Sequence, residues 1–285
     1  MKDSAVLLVQ CPDRRGLDAA IAGFINEHGG NILRFEQHQT GAAERFYLAR
    51  IEWDLNGFTL DFENFPDFFE PISQQFSMKW QLARSDYRPR VVVFVSRQDH
   101  CLVDLLYRQR IGELACDIVA IISNHSDSRA DASFYGIPYH VISVNRENKT
   151  ESEREQIELL RHYHADLVVL ARYMQILSPD FIKFYPQRII NIHHSFLPAF
   201  IGAKPHLQAY SRGVKLIGAT AHYVTEVLDD GPIIEQGVER VSHKDGLEDL
   251  VGKGRDLERV VLSRAVRWHI ENRILLHENK TVIFE

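Results

Sequence analysis

Residues 91–123 read VVVFVSRQDHCLVDLLYRQRIGELACDIVAIIS, and the rest of the fold can be worked out from the pattern in this stretch. Two continuous apolar runs, Val91–Val95 and Ile118–Ser123, flank a segment with helical character, Cys101–Arg108. Strands that are apolar on both faces are typical of parallel sheets covered by helices on both sides. The stretch therefore predicts a strand–helix–strand unit of an open α/β sheet.

The same alternation continues toward the C-terminus. Leu167–Ala171 and Ile189–Ile192 are predicted as further parallel strands, since both are short, apolar and uninterrupted. The remaining predicted elements are helices at Asp127–Tyr135, Glu151–His164 and Pro179–Phe184, strands at Ile217–Val224 and Ile233–Val241, and a long helix at Leu247–Glu271. Together they predict a Rossmann-like open mixed sheet over residues 91–285.

The first 84 residues follow a different order of elements. Apolar residues recur at helical spacing in Leu17–Glu27, and the glycines after it predict the end of that helix. The predicted elements are strands at Ala5–Val9, Ile32–Gln39, Arg45–Trp53 and Ser77–Arg84, and helices at Leu17–Glu27 and Phe62–Phe76. The order βαββαβ predicts a ferredoxin-like domain over residues 1–84. The polar, proline-containing residues 85–90 are the predicted linker.

Composition excludes several classes of protein. The chain carries 33 Lys+Arg against 39 Asp+Glu, a net charge of −6, and neither predicted domain has the basic excess of a nucleic-acid-binding protein. The longest apolar runs are strand-sized and far short of the ~18 residues that a membrane span needs. Three widely spaced cysteines fit a reduced compartment. We therefore expect a soluble cytoplasmic protein that acts on small molecules, without nucleic acid or membrane as partner.

The first candidate for chemistry is the predicted strand end Ile189–Pro198. Asn191 and His193 are two residues apart on an extended chain, so their side chains point to the same side. An amide donor beside an imidazole suits a site that polarises a carbonyl and moves a proton. The alternative is a strand end whose polar groups only cap the sheet, and the pattern by itself leaves both open.

The second candidate is His222–Ile234, where a predicted strand ends in a loop with acidic residues. The carboxylate of Asp229 is the group expected to orient or deprotonate His193, or to hold a water molecule. The residues Asp229-Asp230-Gly231-Pro232 are also common in ordinary turns. Taken alone, this segment favours the turn.

Taken together, the two segments resemble the folate-dependent formyltransferase superfamily. Asn191-x-His193 is followed 38 residues later by Asp229, within the pattern His-x-Val-x4-Asp-x-Gly. The run from Asn191 to Phe200 looks like the hallmark loop of that superfamily, and Ala171–Leu177 resembles its pterin-reading segment. Cys11-Pro12-Asp13-Arg14 is similar to the first turn of an ACT domain. The order of the two domains, an ACT domain followed by a formyltransferase-type domain, resembles that of the formyltetrahydrofolate deformylases. The resemblance covers nearly the whole chain.

The resemblance implies an activity and a role for each of three residues. The implied reaction is hydrolysis of 10-formyltetrahydrofolate to tetrahydrofolate and formate, which balances one-carbon units and supplies formate for purine synthesis. Asn191 would donate a hydrogen bond to the formyl oxygen. His193 would stabilise the oxyanion or carry a proton, and Asp229 would orient His193 and hold or deprotonate the water. The implied folate-binding residues are Tyr173, Met174, Gln175, Leu177, His222 and Val224.

No cofactor and no metal are expected. His193 and His194 are adjacent, so they point to opposite sides of an extended chain, and no carboxylate stands at metal-ligand spacing from either. The family often has Tyr-His where this chain has His206-Leu207, so His206 is the nearest substitute for a family loop histidine.

The alternative activity is formyl transfer to an amine acceptor. Related transformylases hold an acceptor phosphate on a glycine-rich loop after the first strand of the sheet. Here that loop reads Ser96-Arg97-Gln98-Asp99 and contains no glycine, so it cannot offer a close backbone approach to phosphate. We therefore expect water, rather than an amine, as the second substrate.

The resemblance also implies regulation and assembly through the first domain. ACT domains commonly bind amino acids where two copies meet, which implies a homo-oligomer and an effector such as glycine or methionine. The implied effector residues are Asp13, Arg14, Gly16, Leu17 and Asn31. The alternative is a domain that serves dimerisation only.

Overall fold

The computed structural model describes residues 3–41, 45–199 and 205–285. The described chain forms two units, one up to Tyr87 together with Glu271–Glu285, and one over Arg88–Ile270. Phe200, the last residue of the hallmark run, lies outside the described residues. Within the described ranges, no helix is both long and apolar enough to cross a membrane.

The first unit is a four-stranded sheet with two helices. Its elements are β1 Ser4–Pro12, α1 Leu17–Glu27, β2 Asn31–Gln39, β3 Phe46–Asp54, α2 Phe65–Phe76 and β4 Lys79–Arg84. The strand order is β2-β3-β1-β4, with β1 antiparallel to both neighbours. This confirms the ferredoxin-like βαββαβ prediction. The core between sheet and helices is rich in aromatic residues, including Tyr47, Trp53, Phe65 and Phe69.

Helix α2 begins later than predicted because of its prolines. Pro66 occupies the first turn, where a missing backbone N–H costs nothing, so the helix starts at Phe65 rather than at Phe62. Pro71 lies inside the helix, yet the helix continues to Phe76. Burial of Phe65, Phe69 and Phe76 on one face offsets the lost hydrogen bond.

The C-terminal residues depart from the predicted boundaries. They form a hairpin, β12 Ile274–His277 and β13 Lys280–Ile283, and belong to the first unit rather than to the second. Leu275, Val282 and Phe284 pack with Leu8 and Leu48 of β1 and β3. Two strands of four residues give too weak a periodic signal to be assigned from sequence.

The second unit is a seven-stranded mixed sheet with the order β11-β10-β9-β8-β5-β6-β7. Its strands are β5 Arg90–Val95, β6 Asp117–Ser123, β7 Tyr139–Val141, β8 Leu167–Ala171, β9 Ile189–His193, β10 Leu216–Tyr223 and β11 Ile233–Arg240. Its helices are α3 His100–Arg110, α4 Arg129–Phe134, α5 Lys149–His162, α6 Pro179–Phe184, α7 Pro205–Arg212 and α8 Leu247–Ile270. Strands β5 to β9 are parallel to one another, β10 is antiparallel to β9, and β11 is antiparallel to β10. The predicted open mixed sheet is confirmed.

The order of the strands creates a crevice at the edge of the sheet. The chain runs from β5 outward to β6 and β7, then returns to β8 on the other side of β5. The loops after β5 and β8 therefore leave in opposite directions. In open α/β sheets, ligands bind at this kind of switch point, outside the carboxyl ends of the strands.

Candidate active site

A cavity of about 500 Å³ lies where the segments that follow β8, β9 and β10 meet. This volume is within the ordinary range for a small-molecule site. The lining residues are Leu170, Arg172–Leu177, Ile182, Asn191–His194, His222 and Val224–Asp229. All three predicted catalytic residues and all six predicted folate-binding residues are among them.

Strand β9 presents Asn191 and His193 to the cavity. Both residues line it, as expected for side chains two positions apart on a strand. The neighbouring strand β10 is antiparallel and places His222 directly beside Asn191 and Thr220 beside His193. This register places the predicted folate-binding residue His222 against the predicted catalytic residue Asn191.

The loop after β10 brings Asp229 to His193. One carboxylate oxygen of Asp229 lies 3.3 Å from His193 Nδ1 and 3.8 Å from His222 Nε2. Asp229 adopts a left-handed backbone conformation, with φ of 56°. Nearby, a Cβ at Gly231 would overlap the carbonyl oxygen of Tyr223, so this tight loop requires glycine there. The predicted turn and the predicted catalytic carboxylate are thus the same structure.

The charge states of Asp229 and His222 follow from their burial and their hydrogen bonds. The hydrogen bond from His193, despite partial burial, lowers the pKa of Asp229, so the carboxylate is ionised at neutral pH. Burial lowers the pKa of His222, which therefore stays neutral. His222 Nδ1 lies 2.9 Å from the Tyr223 carbonyl oxygen and donates to it, so Nε2 accepts from Asn191 Nδ2 at 3.1 Å. This contact fixes the side-chain amide of Asn191.

The second ring nitrogen of His193, Nε2, has no partner in the described part of the structure. His193 is 6% exposed, and its Nε2 is buried with no hydrogen-bond partner among the described residues. An unpaired buried polar atom is costly and usually has a functional reason. With Nδ1 directed to Asp229, Nε2 is free to exchange a proton with a bound molecule.

The segment Arg172–Leu177 forms one wall of the cavity and is held at several points. The Met174 backbone N–H donates to Ser96 Oγ at 3.1 Å, and the Tyr173 hydroxyl accepts from Gln156 Nε2 at 3.0 Å. Arg172 begins the wall in a left-handed conformation, with φ of 63°. These contacts position the wall before any ligand enters.

Apolar side chains cover much of the cavity surface. Met174, Ile176, Val227 and Leu228 are each about 60% exposed although they are large and apolar. Exposed apolar residues grouped around a cavity are typical of a binding site for an apolar or aromatic group.

Comparison with known proteins identifies the family. The Formyl transferase family matches residues 89–266. A formyltetrahydrofolate deformylase of Synechocystis sp. is 52% identical over 281 residues, which are 99% of this chain and 98% of that protein. The chain belongs to the formyltetrahydrofolate deformylase family. A deformylase of Bacillus subtilis is 48% identical over 99% of this chain and 94% of its own length. The crystal structure of a deformylase from Pseudomonas syringae is 47% identical with a TM-score of 0.97, covering 100% of this chain and 95% of that one.

Sequence reasoning missed a buried polar cluster beside the deformylase cavity. Arg172 Nε donates to Gln98 Oε1 at 3.0 Å and lies 3.4 Å from Glu258 Oε2, and the same Glu258 oxygen is 2.8 Å from His100 Nε2. Burial alone would raise the pKa of Glu258, but the hydrogen bond from His100 and the Arg172 cation outweigh it and lower the pKa. No sequence motif announces this cluster, because its members come from the β5 loop, α3, the end of β8 and α8.

Two more histidines, His194 and His206, lie near His193 and this cluster. The ring of His194 is 5.1 Å from that of His193 and 6.1 Å from that of His206. Burial, together with Arg172, lowers the pKa of His194 to about 3, and burial also lowers the pKa of His206. Both rings are therefore neutral at pH 7.

One group among the described residues has the composition of a metal site. Ligand atoms of His100, Cys101 and Glu258 lie within 4.8 Å of one another. However, the Arg172 guanidinium already occupies one side of the same carboxylate, and burial raises the pKa of the Cys101 thiol. A protonated thiol and an adjacent cation are a poor fit for a metal ion.

The first unit has a cavity of about 590 Å³ at the start of α1. Of the predicted effector residues, Asp13, Arg14, Gly16 and Leu17 line it, together with Gln37, Gln39, Arg45 and Tyr47 from β2 and β3. Asn31 does not line it, since it is exposed at the start of β2, where it pairs with Asp54. The 11 residues of α1 separate Asn31 from Gly16 by roughly 16 Å of helix, and the prediction grouped two turns at opposite ends of it.

Proposed function

We propose that this deformylase hydrolyses 10-formyltetrahydrofolate to tetrahydrofolate and formate at the cavity of the second unit. The observation that carries the proposal is the convergence of Asn191, His193 and Asp229 at one end of an apolar cavity, with His193 Nε2 unpaired. The names of the relatives support the substrate and the reaction.

The three residues divide the chemistry between them. Asn191, held by His222, donates an amide hydrogen bond to the formyl oxygen and stabilises the negative charge that develops when water attacks. His193 Nε2 accepts a proton from the water, and Asp229 stabilises the resulting imidazolium through Nδ1. The bond from the formyl carbon to N10 then breaks. The proton passes from His193 to N10, which leaves formate and tetrahydrofolate.

The remaining lining residues bind the folate. Met174, Leu177 and Val224 provide apolar contact for the pterin ring, while Gln175 and the backbone of the Arg172–Leu177 wall provide hydrogen-bonding groups. Tyr173 acts from behind the wall, because its hydroxyl is already bonded to Gln156. The reaction needs water and these side chains only, so we propose no cofactor and no metal.

The physiological setting follows from the products. Formate release balances one-carbon units and supplies formate for purine synthesis. We propose a cytoplasmic location, which the three buried, unpaired thiols Cys11, Cys101 and Cys116 support.

The first unit is the proposed regulatory ACT domain. Its cavity is lined by two acidic and three basic residues, a combination suited to the ammonium and carboxylate of an amino acid. They are Asp13, Asp18, Arg14, Arg15 and Arg45. We propose glycine or methionine as effector and a homo-oligomer formed through this unit. Both amino acids are titrated into the activity assay and into light scattering, and flat responses in both would leave only a structural role.

The test of the reaction is formate release from 10-formyltetrahydrofolate, measured with and without an added amine. The native enzyme is expected to release formate at the same rate in both cases. A requirement for the amine would replace hydrolysis by formyl transfer. His193→Asn, which preserves a hydrogen-bonding side chain, serves as the inactive reference.

A further inference from the structure

The switch-point crevice between the loops after β5 and β8 is closed by side chains. Gln98 and His100 follow β5, Arg172 follows β8, and Glu258 reaches them from α8. Arg172 Nε bonds Gln98 Oε1 at 3.0 Å, and Glu258 Oε2 bonds His100 Nε2 at 2.8 Å, with Arg172 Nε 3.4 Å away. We call these four residues the crevice plug. They fill the position where open α/β sheets usually hold a ligand.

The plug is buried and internally paired. Glu258 is 2% exposed and Arg172 is 9% exposed. A buried carboxylate and a buried guanidinium compensate each other, and the amide of Gln98 and the imidazole of His100 satisfy further hydrogen bonds. Because its charges are already paired, the plug does not attract a charged ligand. The plug therefore acts on the crevice only by filling its space.

The plug adjoins the catalytic residues through packed rings. His194 lies between His193 and His206, at ring distances of 5.1 and 6.1 Å. The ring of His206 packs against Gly254 of α8, one turn before Glu258, and a Cβ at Gly254 would overlap it. Arg172 and His194 also line the folate cavity. The crevice and the cavity are therefore neighbours separated by side chains only.

We propose that the crevice plug is the specificity determinant that reserves the formyl group for water. An amine acceptor must bring its nitrogen to about 3–3.5 Å from the formyl carbon, and the rest of its molecule needs space beside His193. Folate takes the cavity, and the plug takes the adjoining crevice. Water needs no such space. This inference rests on the proposed hydrolysis and names the residues that exclude the competing transfer.

Opening the crevice should allow a balanced transfer reaction. A primary amine attacks the formyl carbon, the bond from this carbon to N10 breaks, and the proton lost by the amine passes to N10. The products are an N-formyl amine and tetrahydrofolate. Hydrolysis gives formate and tetrahydrofolate, so the two reactions differ only in the formyl product.

The test is the double variant Gln98→Ala/His100→Ala, which empties part of the crevice and keeps the Arg172–Glu258 ion pair. Glycinamide is the probe amine, and formate, N-formylglycinamide and tetrahydrofolate are quantified by mass spectrometry. In the native enzyme, formate should account for all tetrahydrofolate at every glycinamide concentration. In the variant, the N-formyl product should rise about tenfold or more at equal amine concentration, the scale on which pocket contacts discriminate.

Matched controls separate the possible causes. Tyr107→Ala removes an exposed ring from α3, the helix that carries His100, and should leave formate as the only formyl product. Adding His193→Asn to the double variant should abolish both products, which ties the transfer to the catalytic site. Because the product ratio does not depend on the total rate, a slow variant still gives an answer. His100→Ala alone is the substitute where circular dichroism shows that the double variant is not folded.

A folded variant that still forms formate alone, up to the highest glycinamide concentration, would overturn the proposal. That result leaves the hydrolysis itself untouched. Conversely, a native enzyme that releases no formate without an amine refutes the proposed function, whatever the variant does.

Discussion

Replacing Asp229 by Asn tests the proposed chemistry most directly, because it removes a charge and almost no volume. The carboxylate oxygen lies 3.3 Å from His193 Nδ1, and the hydrogen bond from His193 lowers the pKa of Asp229. The native pair therefore places a negative charge against the imidazole at neutral pH. An amide at this position can still accept a hydrogen bond, but it cannot stabilise an imidazolium or fix the tautomer of His193.

The expected loss has a lower and an upper bound. A hydrogen bond to a charged group contributes about 1.5–3 kcal/mol, which corresponds to a factor of about 10 to 150 in rate. In serine proteases, the equivalent Asp-to-Asn change lowers kcat by about 10⁴ because the histidine adopts the wrong tautomer. For Asp229→Asn we therefore expect a fall in kcat of about 10 to 10⁴, and the His193 contact of 3.3 Å, longer than an ideal hydrogen bond, favours the lower part of that range.

The assay is steady-state formate release over a range of folate concentrations at pH 7. The loss should appear in kcat, with a smaller change in KM, since the imidazolium forms only as water attacks. Asp230→Asn makes the same change in charge one residue away, on an exposed side chain, and should leave kcat within about threefold of native. A kcat for Asp229→Asn as close to native as that of Asp230→Asn would refute the assigned role.

Three further changes have defined outcomes. Asn191→Ala should lower kcat by about 10²–10³, the usual loss for one oxyanion donor, as measured by formate release. Glu258→Ala leaves the buried Arg172 cation unpaired and should reduce the free energy of unfolding by about 3–5 kcal/mol in urea titrations, with partial recovery in Glu258→Ala/Arg172→Met. Burial lowers the pKa of His269 from 6.5 to about 4. Between these two pH values the unfolded chain binds a proton that the folded chain does not, so the free energy of unfolding falls as pH decreases from 6.5 to 4. In urea titrations over this range, the fall in the free energy of unfolding should be smaller in His269→Phe, by about 1–3 kcal/mol. This range is reduced from the full shift because the residue as a whole is only partly buried.

The parts of the fold that sequence predicts well are those with a strong local signal. Helix α1 begins and ends where its apolar spacing and the following glycines indicate, at Leu17 and Glu27. The parallel strand β8 is a fully buried apolar run and has the predicted bounds, Leu167–Ala171. The two-residue spacing of Asn191 and His193 likewise fixes their common direction. Each of these features depends on neighbours in the chain.

The features that sequence does not reveal depend on contacts between distant residues. The sequence names Asp229 as the partner of His193, but it does not show the left-handed backbone of Asp229 or the passage of Gly231 against Tyr223, which together allow the contact. The C-terminal hairpin is assigned to the first unit by packing against Leu8, more than 260 positions earlier in the numbering. Neither contact leaves a periodic pattern in the chain.

The loop after β8 contributes both to the crevice plug and to the wall of the neighbouring cavity. Its first residue, Arg172, takes part in the crevice plug, and the following residues, Tyr173–Leu177, form a wall of the cavity proposed to bind folate. Arg172 holds a left-handed conformation that costs about 1–3 kcal/mol for a residue other than glycine, and its bonds to Gln98 and Glu258 offset that cost. The residues of the crevice plug therefore also hold the start of this wall in place. On the proposed mechanism Asn191, His193 and Asp229 serve either nucleophile, so the choice between hydrolysis and transfer depends on the crevice plug. Changes at Gln98 and His100 open the crevice without altering a residue of this loop, whereas a change at Arg172 also disturbs the wall of the cavity.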